Sequence, residues 1–147
     1  MLANSPLQQV WDNAQLLAII VRKNFRCDGI EFLTPDSFSQ QLGYMNRKRG
    51  YIIEPHVHNL VRREVSMTQE VLFIRSGSVR VDFFNDRQDY LESSTLFAGD
   101  VILLASGGHG FTMLEDSEII EVKQGPYSGD EDKTRFNAGG VEWETAQ

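Results

Sequence analysis

Short apolar segments recur along the chain, and their pattern predicts an all-β protein. Residues 78–84 alternate, with Val79, Val81 and Phe83 on one face and polar side chains on the other, as in a half-buried strand. Further apolar runs are similarly rich in β-branched and aromatic residues. They lie at 16–21, 41–45, 51–53, 70–74, 101–104, 110–114 and 118–122.

Turn-forming residues separate these runs at Ser76-Gly77, Asn85-Asp86, Gly99-Asp100 and Gly107-Gly108. Many short strands at close and fairly even spacing, without a convincing amphipathic helix, favour a β-sandwich or barrel. The aromatic and sulfur-containing residues among them are predicted to line the barrel: Tyr44, Tyr51, Phe73, Phe83, Phe111 and Met113.

The two ends of the chain depart from this pattern. Residues 1–15 are predicted to form either a helical turn after Pro6 or a cap over the barrel through Trp11. The tail from residue 125 onward is polar and Gly-rich, which predicts an irregular wrap that frays toward Gln147. Its acidic residues 130–132 are interpreted as solvated charge.

Length and charge narrow the function classes. A chain of 147 residues has the usual size of one domain. Its 14 Lys and Arg residues against 21 Asp and Glu residues give a net charge of -7, which would repel a phosphate backbone and argues against nucleic acid as a partner. The single cysteine, Cys27, and the lack of a leader-like or membrane-length apolar segment predict a reduced, cytoplasmic protein.

The three histidines carry the most specific signal. His56 and His58 are two positions apart, and on a strand such residues point to the same face. Both imidazoles are therefore expected to reach one metal ion, with Glu70 and His109 following on later strands. This mixture of imidazole and carboxylate suits one divalent transition metal: Fe(II), Mn(II), Ni(II), Co(II) or Zn(II).

The spacing of these residues resembles the first part of the cupin signature. That part is a glycine, five residues, His-x-His, a short gap, Glu, six residues and a glycine. Gly50 precedes His56 by five intervening residues, and six residues separate Glu70 from Gly77. The gap of eleven residues after His58 exceeds the usual three or four and implies a longer hairpin. Glu64 is the alternative carboxylate, but it lacks a glycine at the required distance.

The second part of the cupin signature is matched more loosely. Gly99 begins it, and Gly107 leads to His109 across a gap that is one residue shorter than in the family. Ala105 stands where proline is usual, and Met113 replaces an asparagine. The resemblance extends over about residues 38–123, with extensions at 1–15 and 125–147.

The resemblance implies one cupin domain over residues 1–147, folded as a double-stranded β-helix, the jelly-roll barrel. It also implies a metal site formed by His56, His58, Glu70 and His109, a small-molecule ligand and a homodimer. Two functions stay open: a metalloenzyme of dioxygenase or isomerase type acting on a small polar metabolite, or a non-catalytic module that binds a sugar or another metabolite.

Overall fold

The computed structural model describes residues 5–138 as an all-β fold with one short 3-10 helix at Gly129–Asp132. The strands run, in chain order, β1 Leu7–Asp12, β2 Gln15–Val21, β3 Gly29–Phe32, β4 Gly43–Asn46, β5 Glu70–Ser76, β6 Ser78–Phe84, β7 Tyr90–Phe97, β8 Val101–Leu104, β9 Gly108–Met113 and β10 Glu118–Lys123.

Two antiparallel sheets pack face to face around the main core. One sheet has five strands in the order β1-β2-β8-β5-β10, and the other has three in the order β7-β6-β9. Val79, Val81 and Phe83 project from the three-stranded sheet against Ile74 and Ile102 of the larger one, and all five side chains are almost completely buried. The arrangement is a β-sandwich, with alternating side chains from both sheets filling the space between them.

The five-stranded sheet is also covered on much of its outer face. Ile19 and Leu103 point away from the main core and pack against a second layer formed by residues 25–44, which includes the β3-β4 hairpin. Cys27 is half-buried in this layer, as expected for a packing residue. Coverage of both faces explains why residues 16–21 are continuously apolar instead of alternating.

A β-bulge in β2 lets consecutive side chains serve the same core. Val10 pairs with Ala18 and Trp11 pairs with Leu16, so Leu17 has no partner on β1. Both Leu17 and Ala18 therefore join the main core, although strict alternation would send them to opposite faces. The backbone carbonyl of Leu17 accepts hydrogen bonds from the loop after β8 instead.

Most of the predicted strands are present, and the all-β prediction is confirmed. The sequence pattern missed β1, β3 and β7 because each has few buried apolar residues; β7, for example, contains the polar run 92–95. Trp11 lies on β1 and is 46% exposed, so the predicted helical turn and cap were wrong. The predicted strand at 51–53 is also absent, because residues 51–66 have no regular structure.

The polar face of β6 is not simply solvated. Asp82 is fully buried, where its carboxylate accepts hydrogen bonds from Arg80 Nε at 2.8 Å and from the hydroxyl of Ser93. The ion pair with Arg80 stabilises the buried carboxylate of Asp82. The alternation of apolar and polar residues does not by itself reveal that this carboxylate is buried.

The tail after β10 follows an irregular path over the sandwich as far as residue 138, as predicted. The edge of the Phe136 ring packs on Phe84, with 5.1 Å between ring centroids. The expected fraying toward Gln147 concerns residues 139–147, which lie outside the described part of the chain. Among the described residues, no helix has the length and apolar character needed to cross a membrane.

Candidate metal site

An open cavity of about 940 Å³ lies where β5 and β9 begin. Glu70 and His109 line it from the sandwich, residues 65–68 line it from the preceding loop, and residues 124–138 contribute much of the remaining wall. A cavity of this size accommodates a small metabolite. Its position at the end of the sandwich gives solvent access to polar side chains at the margin of the core.

Two of the four predicted ligands meet in this cavity. Glu70 is paired in register with Leu104, and His109 is paired with Phe83, so both functional side chains point between the sheets. Glu70 Oε2 lies 3.4 Å from His109 Nε2. Two ligand atoms bound at right angles to one ion at about 2.1 Å are about 3.0 Å apart, so this separation suits a shared ion.

Two glycines of the cupin-like pattern have a clear structural reason. Gly77 connects β5 to β6 with φ +83°, and an added Cβ would lie 2.4 Å from the carbonyl oxygen of Asp116. Gly107 has φ +71°, and its Cβ would lie 2.6 Å from the carbonyl oxygen of Phe84. Glycine tolerates both the conformation and the close approach, so the strands carrying Glu70 and His109 keep their positions.

The surroundings of Glu70 favour its ionised form. The His109 ring beside the carboxylate lowers the pKa of Glu70, and the positive charges of Lys123 and Lys133 act in the same direction. Partial burial opposes this effect but does not overcome it. Glu70 therefore presents an ionised carboxylate to the cavity at neutral pH.

This lowered pKa predicts a change in acid stability for metal-free protein. Because the folded state binds the proton of Glu70 less tightly than the unfolded chain, the resulting stabilisation is present above the unfolded pKa of about 4.3. It is lost as the pH falls through the lower, folded pKa. Glu70→Gln should therefore flatten the stability profile below about pH 5 when urea unfolding is measured across pH. An unchanged acid profile would contradict the assigned interaction.

The other two predicted ligands lie outside the cavity. Residues 51–67, here named the arm, are exposed along their whole length and contain His56 and His58. The two imidazole rings are nevertheless neighbours, with centroids 5.3 Å apart. The expectation that both histidines lie on a strand was wrong, because the arm pairs with no strand in the described part of the chain and nothing fixes an alternation of its side chains.

The tautomer of His56 is suited to metal binding. Its Nδ1 lies 2.9 Å from the carbonyl oxygen of Glu54, which can only accept a hydrogen bond. Nδ1 must therefore carry the proton in the neutral ring, which leaves the lone pair of Nε2 directed away from the backbone. Carbonyl oxygens commonly orient metal-binding histidines in this way.

The complete ligand set is not assembled in this arrangement. Within residues 5–138, no group of three or more His, Cys, Asp or Glu side chains is positioned to hold a metal ion. The structure brings Glu70 and His109 together and leaves His56 and His58 on the arm. Glu64 is exposed on the same arm and does not line the cavity, so the geometry favours Glu70 as the carboxylate.

The tail contributes groups that the sequence pattern did not assign to the cavity. Asp132 is largely buried, accepts a hydrogen bond from the Thr68 hydroxyl and lies 3.7 Å from Lys123 Nζ. Its interpretation as solvated charge was therefore wrong, whereas Asp130 is fully exposed. Position along the chain offered no signal for this contact, because Thr68 and Asp132 are 64 residues apart.

The predicted lining residues divide into two groups. Phe83 is buried, and Phe111 and Tyr44 pack against the two core clusters. Tyr51 is on the exposed arm, while Phe73 and Met113 are 42% and 49% exposed. The prediction was wrong for these three because aromatic or sulfur content does not specify which side of a strand is covered.

Comparisons with known proteins add no relative from which a role for these residues could be taken. No family model, curated protein or solved structure matches the chain.

Proposed function

We propose that this chain is a metal-binding cupin that acts on a small polar molecule at a site formed by His56, His58, Glu70 and His109. The observation that carries the proposal is the meeting of Glu70 and His109, with 3.4 Å between Oε2 and Nε2, in an open cavity. They come from strands far apart in sequence but lie within the separation expected for ligands of one ion. The jelly-roll connectivity is part of the same proposal.

The arm would supply the two missing ligands by closing over the cavity. β9 is the last strand in the order β7-β6-β9, so its outer edge has no strand partner within the described chain. The arm pairs with no strand within residues 5–138, and it carries exposed apolar side chains, including Val57 at 87% and Leu60 at 104% exposure. Pairing the arm with β9 would bury such groups and bring His56 and His58 toward His109.

Chain length permits this closure. Thr68 already lies at the cavity wall, ten positions after His58. An extended chain of that length spans roughly 30 Å. The two neighbouring imidazoles would then approach the pair formed by Glu70 and His109. Closure would bring the four proposed ligands to one metal ion without displacing the strands of the main core.

The resulting set would leave positions for a ligand. Four protein donors on a divalent ion that accepts six leave about two positions, enough for a bidentate oxygen ligand. When bound, the ion would supply Lewis-acid polarisation of that ligand. The protein's own contributions are the charge of Glu70, the orientation of the histidines and the wall formed by residues 124–138.

Metal binding and arm closure are tested with one matched pair of variants. Glu70→Gln should lower metal occupancy at least about tenfold, because a neutral amide replaces an anionic ligand. Glu64→Gln removes a carboxylate from the arm and should leave occupancy nearly unchanged. Occupancy is measured by elemental analysis after equilibration of untagged, metal-free protein with each ion.

The same variants report on the arm through trypsin cleavage. Arg62 and Arg63 are exposed there and offer a cleavage site. Metal should slow cleavage in the wild type and in Glu64→Gln, but not in Glu70→Gln. Equal occupancy in both variants would overturn the choice of carboxylate, and metal binding without protection would overturn closure of the arm.

A further inference from the structure

Another open cavity, of about 530 Å³, lies at the opposite end of the sandwich from Glu70 and His109. Its wall includes Asp100, which directly precedes β8, whereas Glu70 is paired in register with Leu104 at the end of that strand. A displacement of four residues along a strand is about 13 Å. This cavity, here named the basic pocket, is therefore separate from the candidate metal site.

Positive charge is concentrated in the basic pocket. Among the described residues, its wall has one carboxylate, that of Asp100, and three cationic side chains: Arg22, Lys23 and Arg26. Asp100 is 3% exposed and pairs with Arg22, at 2.9 Å between Oδ2 and Nη1. This pair cancels one charge of each sign. Lys23 and Arg26 therefore leave two positive charges in the pocket, although the chain as a whole has a net charge of -7.

The ion pair of Arg22 and Asp100 belongs to the framework of the basic pocket. The guanidinium of Arg22 also donates through Nε and Nη2 to Oε1 of Gln8 on β1. The carboxylate of Asp100 accepts the backbone N–H groups of Lys23 and Phe97, both at 2.9 Å. These contacts join the segment after β2 to β1, to the end of β7 and to the turn before β8, so they fix the backbone beside the pocket.

Lys23 and Arg26 are held at the basic pocket while their charged groups stay accessible. Nη1 of Arg26 donates to the carbonyl oxygens of Lys23 and Phe25, at 2.8 and 2.6 Å. The methylenes of Lys23 lie against Gly99, where an added Cβ would be 2.7 Å from Cγ and Cδ. Within residues 5–138, Nζ of Lys23 and the Nε and Nη2 atoms of Arg26 have no hydrogen-bond or ion-pair partner.

One wall of the basic pocket is apolar. Phe97, the last residue of β7, is 56% exposed and lines the same cavity. The turn that follows is closed by a hydrogen bond of 2.9 Å from the backbone N–H of Asp100 to the carbonyl oxygen of Phe97, and Gly99 within this turn has φ +92°. The ring is therefore attached to a fixed backbone and offers an apolar surface beside the two cationic groups.

We propose that the basic pocket binds a small organic phosphate monoester, with Lys23 and Arg26 pairing with the phosphate and Phe97 contacting the apolar part. Such a phosphate carries about 1.5 to 2 negative charges near neutral pH, which matches the two unpaired positive charges. A guanidinium offers paired N–H donors and an ammonium a compact charge, and both bind phosphate well. The volume suits a small molecule, whereas the net charge of -7 repels a nucleic acid backbone.

An NMR titration of metal-free protein with phenyl phosphate tests the location of the site. Backbone amide resonances of residues 22–26 and 97–100 should shift, with a dissociation constant of about 1 mM or below. Resonances of residues 107–110, at the candidate metal site, should not move. No shift up to about 10 mM ligand, or shifts confined to residues 107–110, would overturn the proposal.

Substitutions that remove one charge identify the groups that bind the phosphate. Lys23→Gln and Arg26→Gln should each weaken the binding of phenyl phosphate about tenfold, because each removes a charge-assisted hydrogen bond. Arg87→Gln is the matched control, since it changes the net charge equally at an exposed residue outside the pocket. Its affinity should stay within about twofold of the wild type at about 0.1 M salt. Equal weakening in all three variants would refute the assigned contacts.

Two related anions test the chemical class of the ligand. Phenyl sulfate has the same shape but a single negative charge, and it should bind about tenfold more weakly than phenyl phosphate. Inorganic phosphate lacks the ring and should bind about fivefold more weakly, a difference that Phe97→Ala should remove. Equal affinity for phenyl sulfate and phenyl phosphate would overturn the preference for a phosphate, and equal affinity for inorganic phosphate would overturn the contact with Phe97.

Glu70→Gln separates this inference from the proposed function. Glu70 does not line the basic pocket, so this variant should bind phenyl phosphate as the wild type does. A protein that binds phenyl phosphate but no metal would refute only the metal site, whereas one that binds metal but no phenyl phosphate would refute only the basic pocket.

Discussion

Adding a suitable divalent transition metal to metal-free protein at about pH 7.5 will raise its melting temperature by roughly 8–16 °C. That shift corresponds to about 4 kcal/mol at a metal concentration near a thousand times the dissociation constant, if the ion binds only the folded chain. An imidazole binds metal only when it is neutral, so protons compete with the ion for the histidines. The shift should therefore shrink as the pH falls through roughly 6 to 5, as scanning calorimetry with and without chelator will show.

Two double variants on the arm control for general effects of metal on the protein. His56→Gln with His58→Gln should abolish most of the metal-dependent shift, because it removes half of the proposed ligand set. Arg62→Gln with Arg63→Gln changes two exposed residues of the same arm and should retain the shift. If every form melts at the same temperature with and without metal at about pH 7.5, these histidines do not form a metal site.

Phe83→Ala will lower the free energy of unfolding by about 3–5 kcal/mol. Phe83 is 1% exposed and belongs to the cluster between the two sheets. Removing its ring loses the burial of apolar surface and leaves a cavity that the surrounding strands cannot fully close. Urea denaturation of metal-free protein at low concentration measures the loss without contributions from metal binding or association.

Phe97→Ala is the matched control for the same side-chain deletion. Phe97 is 56% exposed on β7, so this change should cost no more than about 1 kcal/mol. Comparable losses at both positions would contradict the assignment of the main core to the space between the sheets.

The pattern of apolar residues by itself determined much of the fold. Strict alternation in 78–84 and compact runs such as 101–104 predicted β6 and β8 because their side chains are buried by the sheets themselves. By contrast, the polar run in β7 gives no such signal. This run becomes a strand because its backbone hydrogen-bonds to β6. The partner strand, and not the local sequence, therefore decides its conformation.

The residues of the candidate site were predicted from the sequence, but the sequence could not show which of them the fold brings together. Residue type and spacing selected Glu70 and His109, and only strand register could show that their side chains meet at 3.4 Å. Spacing alone also suggested a strand for His56 and His58, yet the arm has no partner strand among residues 5–138. Strand geometry depends on backbone hydrogen bonds to a neighbour, which local spacing does not contain.

The same distinction applies to exposure and burial. The sequence determined that Phe73 and Phe83 are large apolar residues on predicted strands, but it could not distinguish their environments. The tertiary structure buries Phe83 between two sheets and leaves Phe73 42% exposed on the other face of the five-stranded sheet. The physical reason is that alternation specifies which residues share a face, whereas the packing of the other strands decides whether that face is covered.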